Sequence, residues 1–242
     1  MSHPPLTPFA VTPPGYQRYR LLRGSLLIIE GVIGAGKTTL GHSLAAYLNQ
    51  IGIPTRFYPE YVNPELLAQY IADMPRYAYT FQLFMLRVRC DTYREAQLFT
   101  ATGGIALIDR SLPGDLAFAT MQYDNGNFSA DEFRVYRSVM MAEAIPVPTA
   151  CVYLECSPAT SLTRVHTRGI ASEISGYTLA YMQNLEAHYV EVLKALESDD
   201  SRCVRIPWDA GRVLTEGRLS TPDIQNILDA ITTCVMAPLT CC

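Results

Sequence analysis

Long apolar runs are missing from this chain, and none reaches the ~18 residues that a membrane-spanning helix needs. An excess of positive charge is missing too. The 19 basic residues are outnumbered by 23 acidic ones, for a net charge of -4 at pH 7. That balance argues against duplex nucleic acid as the main partner, while a locally positive site for single phosphates stays compatible with it. No CxxC pair occurs and the seven cysteines are odd in number, so neither a disulfide framework nor a zinc site is indicated. The N-terminus lacks the charged-then-apolar pattern of a secretion signal, and no Arg-rich amphipathic transit segment is present. Reduced thiols in a cytoplasmic compartment are therefore expected. What is present is 49% apolar residues in 242, which argues against intrinsic disorder and leaves room for one domain with a full core or two small ones. No internal repeat stands out.

Residues 1–23 carry five prolines (Pro4, Pro5, Pro8, Pro13 and Pro14) and read as an irregular leader, with a single domain over 24–242. From Ser25 onward short apolar runs alternate with helical patterns. Strands are predicted at Leu26–Glu30, Thr55–Tyr58, Ile105–Asp109, Ala150–Glu155 and Cys203–Ile206. Helices are predicted near 37–50, 64–73, 76–101, 115–123, 129–143, 158–167, 178–197 and 222–235. The runs Leu26–Ile29 and Ile105–Ile108 are continuously apolar, as strands buried on both faces of a parallel sheet are. Ser129 with Glu132 is a capping-box signature, and Ser157-Pro158 suits a helix start. The alternation predicts a doubly wound α/β fold, whose ligands sit beyond the carboxyl ends of the strands.

At that place the first strand runs into Gly31-Val32-Ile33-Gly34-Ala35-Gly36-Lys37-Thr38, followed by Thr39. This fits GxxxxGK[ST] between a strand and a helix, the context such a phosphate cradle requires. The glycines let several N–H groups point inward toward a polyphosphate. Lys37 would reach the terminal phosphates of ATP, and the Thr38 hydroxyl would ligate Mg²⁺. The second strand ends at Tyr58-Pro59-Glu60-Tyr61-Val62, where Glu60 is either a general base for an attacking hydroxyl or a surface loop acid. The third ends at Asp109-Arg110-Ser111, where the acid is placed to hold Mg²⁺ and the guanidinium to steady phosphate oxygens, or the two form a structural ion pair. Gln82 and Arg89 lie seven apart on one helix face, so the amide is placed to read a base edge; for Arg89 and nearby Arg87 a solvated helix face is the alternative. Arg164 and Arg168 precede a mobile stretch of small residues from Gly169 to Gly176, as in a lid closing on a transferring phosphoryl group, or else form a basic helix end.

Together these pieces resemble the deoxynucleoside kinase family, from about Leu26 to Leu196. The cradle with its preceding Glu30 and following Thr39 is close to the family's EGxIGxGK[ST]T, and Pro59-Glu60-Tyr61-Val62 matches its E-P-V segment with Tyr61 in place of proline. The family's phenylalanine–glutamine pair falls on Phe81-Gln82, and its E-R-S on Asp109-Arg110-Ser111, with a shorter acid. The resemblance implies a five-stranded parallel sheet in the order 2-3-1-4-5, a helical lid over about 164–176, and a homodimer through the helices near 76–101 and 129–143. It implies phosphorylation of a deoxynucleoside 5′-hydroxyl by ATP with Mg²⁺. Glu60 becomes the base, Arg110 the phosphate and 5′-oxygen contact, Gln82 the base contact, and Glu173 a 3′-hydroxyl contact for which Tyr70 is the nearest tyrosine. Arg164 and Arg168 match lid arginines; a third has no counterpart, since Ile170 and Ala171 occupy that stretch. Arg89 and Asp115 fall on a pair typical of the deoxycytidine and deoxyguanosine branch, which implies deoxyguanosine, deoxyadenosine or deoxycytidine over thymidine.

A thymidylate or other nucleoside monophosphate kinase shares the cradle but needs arginines near Glu60 for an acceptor phosphate, and only Arg56 is close. A GTPase switch would want an N-K-x-D motif, and none occurs. The terminal Cys241-Cys242 resembles the ending of some prenylated small GTPases, yet no polybasic stretch precedes it, so a polar tail is the expectation.

Overall fold

The computed structural model describes residues 13–198, 202–209, 214–215 and 217–238. The chain runs α1 (Tyr16–Tyr19), β1 (Leu26–Glu30), α2 (Lys37–Gln50), β2 (Thr55–Tyr58), α3 (Pro64–Ala72), α4 (Met74–Ala101), β3 (Ile105–Asp109), α5 (Leu112–Asp124) and α6 (Ala130–Ala142). It continues through β4 (Ala150–Glu155), α7 (Pro158–Arg168), α8 (Ala171–Gly176), α9 (Leu179–Ser198), β5 (Cys203–Pro207), a ribbon of β6 (Leu214–Thr215) and β7 (Arg218–Leu219), and α10 (Thr221–Met236). Five parallel strands form one sheet in the order β2-β3-β1-β4-β5, as expected. Leu27 lies beside Leu107, and Ile28 beside both Ile108 and Cys151. Every residue of β1 and β3 is buried, which is why neither strand alternates. The order places β1 centrally, so the cradle that follows it opens between the ends of β3 and β4.

Helix starts follow local chemistry. The Ser129 hydroxyl accepts from Glu132 N–H at 3.2 Å while the Glu132 carboxylate accepts from Ser129 N–H at 2.8 Å, completing the capping box. Ser157 caps α7 ahead of Pro158. Two starts come earlier than the spacing predicted. Asp73 caps α4, with Pro75 in its first turn, and α5 begins at Leu112 with Pro113 in its own. Proline in a first turn loses no hydrogen bond, so neither residue delays the helix. The ribbon β6–β7 was not predicted, and Gly169–Gly176, expected as a mobile stretch, is mostly the short helix α8.

The irregular leader expected over 1–23 is corrected at its end; residues 1–12 lie outside the described residues. Tyr16–Tyr19 and the turn Arg20–Leu22 are helical. Tyr19 and Leu22, three apart, bury one face in the core. Tyr19 donates to Asp229 at 2.8 Å and Arg18 pairs with Asp229 at 2.9 Å, clasping α1 to α10. The opposing face of α10 is the apolar spacing Ile224, Ile227, Leu228 and Ile231, all buried. A helix this short has no sequence period to detect; its docking partner lies more than 200 residues away. Leu22→Ala should cost about 2–5 kcal/mol, the range for a fully buried leucine, as read by urea unfolding. An unstructured leader would leave the unfolding midpoint unchanged.

Candidate active site

The cradle is shaped by backbone that only glycine supplies cheaply. Gly34 has φ 75°, and a Cβ there would lie 2.8 Å from Ser161 O. Its carbonyls turn outward: Ser161 Oγ donates to Ile33 O, and Arg164 Nη1 donates to Ala35 O at 3.0 Å. With those acceptors engaged by α7, the loop is free to present N–H groups inward at the start of α2. Lys37 Nζ folds back on the loop and donates to Gly31 O and Val32 O, each at 3.1 Å. Burial chiefly, with the Arg110 charge adding to it, lowers the Lys37 ammonium from its usual range to about 8. Thr38 Oγ1 donates to Asp109 Oδ2 at 2.7 Å, while Asp109 Oδ1 is buried with no hydrogen-bond partner among the described residues. A hydroxyl and a carboxylate with a free oxygen beside a phosphate cradle are a donor set that fits Mg²⁺. Among the described residues no cluster of three acidic, histidine or cysteine ligands exists.

The acceptor side is built on a buried carboxylate. Glu30, the last residue of β1, accepts from Ser111 N–H at 2.8 Å, Gly114 N–H at 3.1 Å and the Tyr189 hydroxyl at 3.1 Å. These bonds fix the turn from β3 into α5, where Arg110 takes φ 68°. A non-glycine residue in that region is strained, and such strain concentrates at functional sites. The turn aims Arg110 Nε at Glu60 Oε2, at 3.3 Å, and its Nη1 at Gly31 O, at 3.1 Å. Arg89 Nη2 meets the other Glu60 oxygen at 2.5 Å, and Arg89 Nη1 donates to Asp115 Oδ1. Burial alone would raise the Glu60 carboxyl; Arg110 and then Arg89 outweigh it and bring the group down to about 2. Gln82 Nε2 donates to Asp115 O at 3.1 Å.

A cavity of about 490 Å³ joins the two sides. Its lining brings together Lys37, Thr38 and Asp109 with Glu60, Arg110, Gln82, Arg89, Arg168 and Glu173. A phosphate pole and a site with hydrogen-bonding groups suited to a base thus share one space, with a carboxylate between them. A family model described as deoxynucleoside kinase matches residues 27–225. The chain belongs to the deoxynucleoside kinase family.

Relatives agree. The chain is 30% identical over 200 residues to a deoxyadenosine kinase of Dictyostelium discoideum, covering 81% of this chain and 77% of that protein. It is 26% identical over 178 residues to a deoxyadenosine/deoxycytidine kinase of Bacillus subtilis, covering 72% and 78%. The solved structure of a deoxyadenosine kinase from M. mycoides with bound dATP superposes with a TM-score of 0.65 at 22% identity, covering 86% of this chain and 98% of that one, and shares the fold. Family membership makes the chain a phosphotransferase and sets the nucleoside monophosphate kinase reading aside.

The structure moves some expected residues off the cavity wall. Arg164 does not line it; its guanidinium braces the cradle from outside, reaching Ala35 O and Trp208 O at 3.0 Å each. Trp208 is itself buried against Gly36, where an added Cβ would sit 2.5 Å from the indole Nε1. Tyr70 is not among the lining residues either. Its ring stacks on Phe81 at 4.7 Å, and its hydroxyl is shared with Tyr181 at 3.0 Å and accepts from Gln122 at 2.7 Å. Tyr177, which no motif flagged, lines the wall with Glu173, and Glu173 pairs with Arg168 at 2.5 Å. Asp115 stands behind Arg89, and its second oxygen accepts from Tyr136 of α6, also unflagged. Tyr136 lies seven residues after the Ser129 cap, and a buried tyrosine on an exposed amphipathic helix is the one signal that could have marked it.

With the Glu60 carboxyl at about 2 and the ordinary value at 4.5, the carboxylate stays ionised as pH falls toward 5. The acid limb of kcat/KM for the acceptor, which reports the free enzyme, should therefore be flat from pH 7 down to about pH 4, where an ordinary glutamate would be mostly protonated. Arg89→Met removes one of the two lowering charges and should move the limb upward. A native limb centred near the ordinary glutamate value would overturn the double clamp.

Proposed function

We propose that the chain transfers the γ-phosphoryl group of ATP to the 5′-hydroxyl of a deoxynucleoside, taking deoxyadenosine, deoxyguanosine or deoxycytidine in preference to thymidine. The observation that carries this reading is the placement of Glu60 in one cavity between the Lys37 cradle and the pair Gln82–Arg89. The base would lie against Phe81 and Gln82, with Arg89, whose Nε is a buried donor lacking an acceptor among the described residues, presented to a base that carries acceptors. Names of relatives as deoxyadenosine, deoxyguanosine and deoxyadenosine/deoxycytidine kinases support the preference.

Glu60 accepts the 5′-hydroxyl proton at an oxygen. A carboxylate this acidic takes the proton late, which suits a loose transition state with little bond to the nucleophile. Acceleration comes chiefly from alignment and charge: Lys37, on leaving the Gly31 and Val32 carbonyls, and Arg110 would meet the equatorial oxygens, with Arg168 of α7 a third cation on the same cavity. Thr38 and Asp109 would hold Mg²⁺, which supplies neutralising charge to the β- and γ-phosphates. Arg168–Gly176 serves as a lid that excludes water, the competing acceptor. Glu173, which lines the cavity with Tyr177, would meet the 3′-hydroxyl.

A homodimer through α4 and α6 is supported by the exposed Leu98 on the first and the exposed Val135, Val139 and Met141 on the second. A cytoplasmic setting is supported by free thiols at Cys90, Cys151, Cys156, Cys203 and Cys234. No helix of the described residues is long and apolar enough to cross a membrane.

Steady-state assays with Mg·ATP and each of four deoxynucleosides should give the largest kcat/KM for a purine or cytosine substrate; a preference for dTMP over every nucleoside would sink the proposal. Glu60→Gln should lower turnover by roughly 10²-fold while ATP binding, followed by calorimetry, survives. Exchanging Arg89 and Asp115 together for apolar residues should shift preference toward thymidine.

A further inference from the structure

Asp115 is fully buried, yet it is a carboxylate, and its place behind Arg89 has to be held by something. Its Oδ1 receives Arg89 Nη1. Its Oδ2 receives the hydroxyl of Tyr136, which arrives from α6, an element that contributes nothing to the cavity lining. The side-chain amide of Gln82 reaches the same residue through its backbone carbonyl. We infer that Tyr136 is a positioning residue for nucleobase recognition: its hydroxyl locks the Asp115 carboxylate so that the Arg89 fork spans Asp115 and Glu60 at one angle. The inference rests on the function proposed above and deepens it.

The geometry separates the role of the hydroxyl from that of the ring. The Tyr136 ring is packed by aromatic neighbours, lying parallel to Phe133 with centroids 6.3 Å apart and 6.4 Å from Phe128. That packing needs no oxygen. The hydroxyl donates to the Asp115 carboxylate, with the Met140 sulfur at 3.7 Å and the Gln82 side-chain amide as further hydrogen-bonding neighbours. Burial pushes the phenol well above its usual range, so it remains a donor at every working pH. The terminal torsion of an aspartate is soft and nearly two-fold, so a carboxylate held by one oxygen can turn. A carboxylate held by both cannot. Arg89 transmits the difference, because its planar guanidinium is gripped at Nη1 by Asp115 and at Nη2 by Glu60, at 2.5 Å. A tilt at Asp115 therefore displaces the donors that Arg89 offers to the base.

The test is Tyr136→Phe in the full chain, assayed with Mg·ATP against the four deoxynucleosides. KM for the preferred nucleoside should rise roughly tenfold, the scale of one hydrogen bond to a charged group. Its kcat should change less, KM for ATP should hold, and thymidine should be indifferent, so that discrimination narrows. In an Asp115→Ala background the same substitution should add no further loss of discrimination. A uniform loss across all four nucleosides, an additive effect in the Asp115→Ala background, unchanged kinetics, or loss of a cooperative melting transition each overturns the inference. The native chain is its own control. If it phosphorylates none of the nucleosides, the proposed function fails and the inference falls with it; if it is active and the variant matches it, the inference alone fails.

Discussion

The buried Glu30 carboxylate is the tie on which the site depends. It ends the central strand, and its oxygens collect the N–H groups of Ser111 and Gly114 and the hydroxyl of Tyr189. Burial works against its charge and raises its pKa, while Arg110 is the chief opposing influence. Without that carboxylate the left-handed turn at Arg110 would lose its partners, and the arginine would lose its direction. Gly114 belongs to the same arrangement, because a side chain there would collide with Glu30 and Tyr189. One acid thus joins the end of β1 to the start of α5 and lets the cradle and the acceptor side keep a constant separation.

The second constraint is the sharing of charge. Two arginines converge on Glu60, and one of them is also held by Asp115. A buried ion cluster of this kind is a poor source of net stability, since desolvation opposes the attraction. Its yield is orientation. The same contacts that acidify Glu60 fix its position, and they tie Arg89 to both Glu60 and Asp115.

Legibility in the sequence followed the range of the interactions. The cradle, the strands and most helix starts depend on residues within a few positions of one another, so a glycine pattern, an apolar run or a capping pair was enough. Glu60, Arg110, Gln82 and Arg89 could be proposed because each sits at a strand end or on one helix face, and the cavity gathers them. Arg164 was read from its spacing to Arg168, which says nothing of the Ala35 and Trp208 carbonyls that capture it across the fold. Tyr70 was the nearest tyrosine in sequence, but its hydroxyl belongs to Gln122 and Tyr181. Tyr19, Leu22 and Tyr136 share the same cause: each earns its place through a partner that no local pattern reveals.

Trp208 is the chain's single tryptophan. Its indole lies against Gly36 at the entrance to α2, and its carbonyl is tied through Arg164 to the cradle. The molecule therefore carries a single intrinsic fluorophore packed behind the phosphate cradle, with no second indole to blur its emission.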